Sequence, residues 1–308
     1  MELQEFKDEL VKRLQDVGLW VKIGDVDKIN YQGQEAVIVK ENADDIDGIS
    51  HPVSELYKEF KKSNDIDFCV TYLNEALKHR DKPILHYVMG KVKNKEFFTL
   101  HVCSANENRE LLARSAYYEV TQALAAVAYI DVPTGDGCYA SVRVNDNILN
   151  KLGMTKKEVL DTALSNLEQS EFIVKHIAEV IEEMAGSSLF IDEHEMPMYV
   201  VTGKSKMYGA NILATKTSLY SSIADSIGED CYILPSSIHE IILVPKSAGI
   251  APYDLKMLVE SVNETELDKR EKLCDEVFEY SMAEKRLLLA TYEDKKITKE
   301  RGKSICRI

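Results

Sequence analysis

The stretch YILPSSIHEIILV, residues 232–244, decides the fold of the second half of the chain. It holds two nearly continuous apolar runs, 232–234 and 241–244, with Pro235 and a short polar segment between them. Strands that are covered on both faces show such runs, because neither face meets water. The stretch therefore predicts two central strands joined by a turn, in which Pro235 fixes φ and the serines cap free backbone groups.

Helical and strand periodicities alternate along the rest of the 308 residues. Apolar residues at helical spacing predict an opening helix that ends before Gly18, a helical pair over 52–82, and a helix that begins at the capping box Thr155-x-x-Glu158. A further apolar stripe predicts one helix from Phe172 to Met184 that ends at Gly186. Strand-like runs lie at 19–40, 117–144 and 277–290. This order predicts an α+β fold of two mixed α/β subdomains, with mostly antiparallel short sheets flanked by helices.

The acidic segment between Gly186 and Pro197 has little periodicity and predicts a linker. We therefore expect an N-terminal α+β domain at 1–187, a C-terminal α+β domain at 188–291, and a basic polar tail at 292–308. Since the tail has no apolar periodicity, we expect its removal to change thermal stability little.

The composition of the chain limits the size of its core, its partners and its location. Hydrophobic residues make up 45% of the chain, enough for a sizeable core. The 38 basic and 52 acidic residues give a net charge of −14, which disfavours nucleic acid as a partner. An acidic mimic of nucleic acid is a weak alternative, because the basic residues are interspersed with the acidic ones. No apolar stretch approaches the roughly 20 residues of a membrane span, and the six scattered cysteines are typical of reduced thiols in a cytoplasm.

A possible catalytic group lies within the deciding stretch. Ser236, Ser237, His239 and Glu240 supply a hydroxyl, an imidazole and a carboxylate, the three groups that nucleophilic hydrolysis uses. In an extended chain Glu240 would point to the face opposite His239, so the acid would have to come from a distant segment. The turn described above is the structural alternative for the same residues.

Metal and cofactor motifs are incomplete throughout the sequence. His194 would need a second histidine four residues on, where Met198 stands. The acidic run that begins at Asp44 lacks the remaining pattern of a calcium loop, and His101-x-Cys103 lacks the remaining ligands of a zinc deaminase. Neither a G-x-G-x-x-G nor a Walker loop occurs. We predict no metal and no cofactor.

Four segments carry a resemblance to a known family: EMPMYVVT at 195–202, GANIL at 209–213, YILPSSIHEIILVP at 232–245 and VNET at 262–265. The chain resembles an uncharacterised bacterial family of unknown function from gut Gram-positive bacteria. Leu152 is a departure, since family members often carry an aromatic residue before the following glycine. The resemblance implies an α+β fold and a full-length single-unit protein, and it implies no catalytic residues, substrate or cofactor.

Two functions follow as hypotheses. The first is a non-catalytic cytoplasmic binding or interaction protein, most naturally with a protein partner, since no nucleophile, metal or phosphate motif is complete. The alternative is a hydrolase that uses Ser236 or Ser237 with His239 and a distant acid. The sequence leaves the oligomeric state open.

Overall fold

The computed structural model describes residues 1–25, 29, 34–45, 48–79, 87–88, 90–135, 138–186, 197–204, 206–235, 237–268 and 270–290. The predicted tail at 292–308 and the predicted linker at 187–196 lie outside these residues.

The first 79 residues form a three-stranded antiparallel sheet covered by helices. In chain order the elements are α1 (Leu3–Asp16), β1 (Trp20–Asp25), β2 (Glu35–Lys40), β3 (Ile49–Pro52), α2 (Val53–Ser63) and α3 (Ile66–Lys78). The strands lie in the order β1-β2-β3. Phe6, Leu10 and Leu14 of α1 are fully buried against α2, α3 and the sheet. The opening helix, the strands after it and the helical pair are confirmed.

A second antiparallel sheet follows, built around one long strand. Its elements are β4 (Phe98–Ser104), α4 (Arg109–Ala113), β5 (Tyr117–Glu119), β6 (Leu124–Gly135) and β7 (Cys138–Arg143). β6 pairs with β4 along one edge and with β5 and β7 along the other. The helices α5 (Asp146–Leu152) and α6 (Lys156–Leu167) come next, and α6 begins at the predicted capping box of Thr155 and Glu158.

Pleating gives the second sheet two different faces, because successive side chains point to opposite sides of a strand. One face carries apolar residues, and it packs with Val159 and Ala163 of α6 in the main core. Its members on β4 and β6 are Phe98, Leu100, Val102, Leu124, Ala126, Ala128, Ile130 and Val132. The opposite face carries a smaller buried apolar cluster with Ala125 and Val127, and also His101 and Asp131, whose surroundings are described below.

A third, six-stranded antiparallel sheet completes the fold, in the order β13-β12-β10-β11-β9-β8. Its elements are β8 (Phe172–His176), α7 (Ile177–Ala185), β9 (Tyr199–Gly203), α8 (Thr217–Ser226), β10 (Cys231–Leu234), β11 (Glu240–Pro245), α9 (Pro252–Thr265), β12 (Phe278–Ser281) and β13 (Arg286–Leu289). A 3₁₀ helix, Gly209–Ala214, follows β9. The strands predicted from 232–244 are confirmed as β10 and β11 at the centre. The fold class is α+β, as expected.

Both faces of β11 are covered, as its continuous apolar run predicts. Ile241 and Leu243 are fully buried in the main core, whereas the half-buried Ile242 and the buried Val244 pack in a second cluster with Leu255 of α9. The strand therefore has no face for water, which explains why its sequence does not alternate.

The single helix predicted from Phe172 to Met184 is wrong in its first half. Residues 172–176 form β8, and the helix begins at Ile177. The imidazole of His176 accepts a hydrogen bond from the backbone N–H of Ala178 and caps the helix, so the chain changes conformation at this residue. The predicted end is confirmed, since Gly186 adopts the left-handed conformation with φ 64°.

The predicted domain boundary falls between two paired strands. β8 precedes residue 187 and β9 follows it, and His176 and Tyr199 are opposite one another in the register. The main core also combines residues from both sides, including Leu100 and Leu243. The division into domains at 187 stays a prediction about independent folding.

The longest described helices, α1 and α9, have 14 residues each. No helix in the described ranges is long and apolar enough to span a membrane.

Four cysteines, Cys69, Cys103, Cys231 and Cys274, are free and buried. Burial raises the pKa of Cys103, Cys231 and Cys274 to about 12. These thiols stay protonated at neutral pH and serve as small apolar side chains.

The central position of β11 predicts a large cost for truncating Leu243. Leu243→Ala removes a fully buried side chain and leaves a cavity, so we expect the free energy of unfolding to fall by about 2–5 kcal/mol in urea melts. Leu258→Ala on α9, where the leucine is 44% exposed, is the matched control and should change it by less than about 1 kcal/mol. Equal effects of the two changes would show that the core is misplaced.

Candidate functional site

The face of the second sheet that carries His101 and Asp131 forms the floor of a cleft. Asp131 on β6 lies opposite Ser141 on β7, and Tyr129 lies opposite Arg143. Two adjoining cavities of about 600 and 640 Å³ cover this floor. Both are lined by His101, Tyr139, Ser141, Met207 and Tyr208. The cleft lies where the second sheet meets the turn that follows β9.

A buried histidine and aspartate pair lies in the floor. Nε2 of His101 is 2.8 Å from Oδ2 of Asp131, and the two side chains are 7% and 19% exposed. Burial alone would raise the pKa of Asp131, but the adjacent imidazole, together with the nearby Ser141 hydroxyl, lowers this pKa below its usual value. Asp131 is therefore a carboxylate at neutral pH.

The ionised carboxylate determines which nitrogen of His101 carries a proton. A carboxylate can only accept hydrogen bonds, so Nε2 must be the donor. Among the residues that the structure describes, none hydrogen-bonds to Nδ1 of His101. The neutral imidazole thus offers a lone pair at Nδ1, and the protonated imidazole offers an N–H there.

Aromatic rings hold the imidazole of His101 on both faces. The ring of Tyr129 stacks on it with 4.4 Å between centroids and 13° between planes, and the ring of Tyr208 does so with 4.4 Å and 27°. Burial and the nearby charge of Asp131 raise the pKa of Tyr208, so its hydroxyl stays protonated. Only the edges of the imidazole are left for a ligand.

The backbone at Tyr208 is strained into the position that this stacking needs. Tyr208 has φ 56° and ψ 30°, a left-handed conformation that costs a side-chain-bearing residue of order 1 kcal/mol or more. The glycines on either side allow the turn to close. A Cβ on Gly203 would collide with the carbonyl oxygen of Met207, and one on Gly209 would lie 2.6 Å from the carbonyl oxygen of His239.

A buried amide attaches this turn to the second sheet. Oδ1 of Asn211, in the 3₁₀ helix after Tyr208, accepts the backbone N–H of Val102 on β4 at 2.9 Å. Gly209 also donates its N–H to the carbonyl oxygen of His239 at 2.8 Å. The turn is thus fixed to both sheets, with Tyr208 over His101.

The structure brings one of the predicted catalytic residues, His239, to the cleft. Its Nδ1 accepts the backbone N–H of Tyr208 at 3.5 Å, and its Nε2 lies 3.8 Å from a carboxylate oxygen of Glu271. Glu271 thus places a carboxylate from a distant segment beside Nε2 of His239, while Nδ1 is directed at the backbone of Tyr208.

The other predicted residues do not join His239 in this way. The buried hydroxyl of Ser237 accepts the backbone N–H of His239 at 3.0 Å, as in the predicted capped turn. Glu240 is exposed on β11, where it pairs with Thr202, and Ser236 lies outside the described residues. The hydrolase centred on these serines stays a prediction.

His101 and Asp131 are not predicted as partners from the sequence. His101 matches only part of a local zinc motif, and Asp131 lies within the strand-like run at 117–144. A signal was present: in FTLHV at 98–102 the polar residues Thr99 and His101 alternate with apolar ones, and in YIDV at 129–132 Tyr129 and Asp131 alternate with Ile130 and Val132. Such alternation places His101, Tyr129 and Asp131 on one face of a sheet.

The described residues contain no group of three or more His, Cys, Asp or Glu side chains that could hold a metal ion. In the acidic loop considered for calcium, Asp45 accepts the backbone N–H of Asn42 at 2.7 Å and so stabilises a turn. His194 lies outside the described part of the chain.

Comparison with the sequence profiles of known families assigns the chain to one of them. The chain belongs to a family of unknown function, DUF5688, whose sequence profile matches residues 3–282. Neither a curated protein nor a solved structure shows a significant match.

The lowered pKa of Asp131 predicts a pH-dependent contribution to stability. A group whose pKa is lower in the folded than in the unfolded state stabilises the fold above its unfolded pKa of about 3.9, and this contribution is lost as the pH falls through the folded pKa. Asp131→Asn keeps an acceptor for His101 but removes the charge. We expect it to lower the free energy of unfolding by about 1–2 kcal/mol at pH 7, with the difference from the wild type shrinking below about pH 4.

Urea melts of both proteins between pH 7 and pH 3 measure this difference. Asp161→Asn is the control, because the Asp161 side chain is 63% exposed on α6. A destabilisation by Asp131→Asn that is equally large at pH 7 and pH 3 would contradict the account.

Proposed function

We propose that this protein binds a small molecule in the cleft over His101 and that His101 exchanges a proton with the bound molecule. The observation that carries the proposal is the buried His101–Asp131 pair, whose Nδ1 atom has no hydrogen-bond partner among the described residues. A histidine that serves only the core generally has its polar atoms satisfied by the protein.

The chemistry of the pair supports proton exchange. Asp131 holds the imidazole in the tautomer with the proton on Nε2, so Nδ1 keeps a lone pair that can accept a proton from a bound molecule. The stacked rings of Tyr129 and Tyr208 prevent the imidazole from turning away. Nδ1 can therefore act as a general base toward a bound ligand, and as a general acid once it is protonated.

Backbone strain next to the site supports the same conclusion. Residues in unfavourable φ/ψ regions persist only where their surroundings fix them, and they cluster at binding and catalytic sites. Tyr208 is such a residue, and its ring lines both cavities. The proposal extends the binding protein predicted from the sequence, with His101 as the reactive group.

We also propose a cytoplasmic location. Free buried cysteines support it, because oxidising compartments favour disulfides. The resemblance stated above supports a bacterial source.

Replacing His101 by Gln tests the proposed function. The side-chain amide of Gln can still donate to Asp131, but it lacks the second ring nitrogen. Ligand-observed NMR with a library of small polar molecules identifies those that bind the full-length wild type. We expect such molecules to bind His101→Gln at least about tenfold more weakly, because the hydrogen bond between the ligand and Nδ1 of His101 is lost.

The matched control is His79→Gln, because the His79 side chain is 81% exposed and far in sequence from the cleft residues. It should bind the same molecules as the wild type does. Unchanged binding by a folded His101→Gln variant would overturn the proposal.

A further inference from the structure

The positively and negatively charged groups around the cleft differ in the partners that they contact. Two cations at its rim have carboxylate partners of their own: Arg270 contacts Asp268 at 2.6 Å, and Lys204 contacts Glu171 at 2.6 Å. The guanidinium of the third cation, Arg143, donates to the backbone oxygen of Arg114 and to the hydroxyl of Ser115, beside α4. Arg270 and Lys204 are thus neutralised by carboxylates, whereas these two acceptors of Arg143 carry no charge.

The carboxylates of the cleft are less fully neutralised. The partner of Asp131 is an imidazole, which carries no charge in its neutral form. Glu271 is 46% exposed and lies 3.8 Å from Nε2 of the His239 imidazole. The described charged groups around the cleft are Asp131, Glu171, Asp268 and Glu271 against Arg143, Lys204 and Arg270, which leaves one net negative charge and favours a cation over an anion.

Apolar and aromatic surface is exposed at the same place. Tyr139 is 55% exposed and Met207 is 43% exposed, and both line the two cavities. Large apolar side chains that remain open beside a polar floor are typical of ligand sites. An aromatic face next to a carboxylate is the combination that binds organic cations, through the ring quadrupole and the opposite charge.

From this juxtaposition we infer that the ligand of the cleft is a planar organic cation with an N–H donor, of the amidinium type. Its N–H donates to Nδ1 of His101, its charge is balanced by Asp131 and Glu271, and its plane packs against Tyr139 and Met207. The inference rests on the proposed function, because it names the ligand class of the same site.

Three probes of nearly equal shape and different charge test the inference: benzamidine, benzamide and benzoate. Binding to the full-length protein is followed by the NMR signal of the His101 Cε1 proton and by calorimetry. We expect benzamidine to shift this signal and to bind at least tenfold more tightly than benzamide, and benzoate to bind more weakly than either.

Asp131→Asn separates the charge from the shape of the site. It should weaken benzamidine about tenfold and leave benzamide within twofold, whereas the control Asp161→Asn should change neither. A selective loss of cation affinity of this kind supports the inference, because a general loss of folding would weaken both probes alike.

Two results would overturn the inference. If benzoate shifts the His101 signal and binds as tightly as benzamidine, the ligand class is wrong while the cleft remains the binding site. If no probe binds, but library molecules still lose affinity for His101→Gln, the ligand class is again wrong and the proposed function stands. Library molecules that bind His101→Gln as tightly as they bind the wild type would contradict the proposed function itself.

Discussion

The hydrogen bond from the backbone N–H of Val102 to Oδ1 of Asn211 is the interaction on which the cleft depends. β4 is an edge strand of its sheet, so this buried N–H has no strand partner on that side, and leaving it unsatisfied would cost about 1–3 kcal/mol. Asn211 satisfies it and thereby places the preceding turn against β4. Tyr208 consequently covers His101, and the strain in its backbone is maintained by contacts on both sides of the turn. One side-chain amide thus connects the packing of two sheets to the geometry of the site.

The two faces of the second sheet differ in their surroundings, since one lies in the main core and the other carries the candidate site. The face with Leu100 and Ile130 is buried against α6 and shares a core with the third sheet. That burial stabilises the strands strongly enough for the opposite face to hold an aspartate that is ionised although its side chain is only 19% exposed. Because β4 and β6 are fixed by the core on one side, His101 and Asp131 are held at hydrogen-bond distance on the other. The rigid floor and the strained turn together leave Nδ1 of His101 without a hydrogen-bond partner among the described residues.

Much of the fold could be predicted from the sequence, because local periodicity and caps determine it. The capping box at Thr155, the helix end at Gly186 and the apolar runs of β10 and β11 are local signals, and each is confirmed. The strand at 172–176 was missed because its apolar spacing also fits a helix, and the cap that separates the two is made by the imidazole of His176. The residues of the candidate site could be singled out only in part. The sequence drew attention to His239, which lines the cleft, but the His239–Glu271 contact and the His101–Asp131 pair join residues about 30 positions apart, and no local motif marks such contacts.

The tautomer of His101 tests the central claim most directly. Nitrogen-15 NMR of the full-length protein, with selectively labelled histidine, reports which ring nitrogen carries the proton when the imidazole is neutral. The account predicts a proton on Nε2, donated to Asp131, and a bare Nδ1 whose signal changes when a ligand enters the cleft. A proton on Nδ1 in the neutral ring would contradict it, because Asp131 would then lack its donor and the cleft would lack its base.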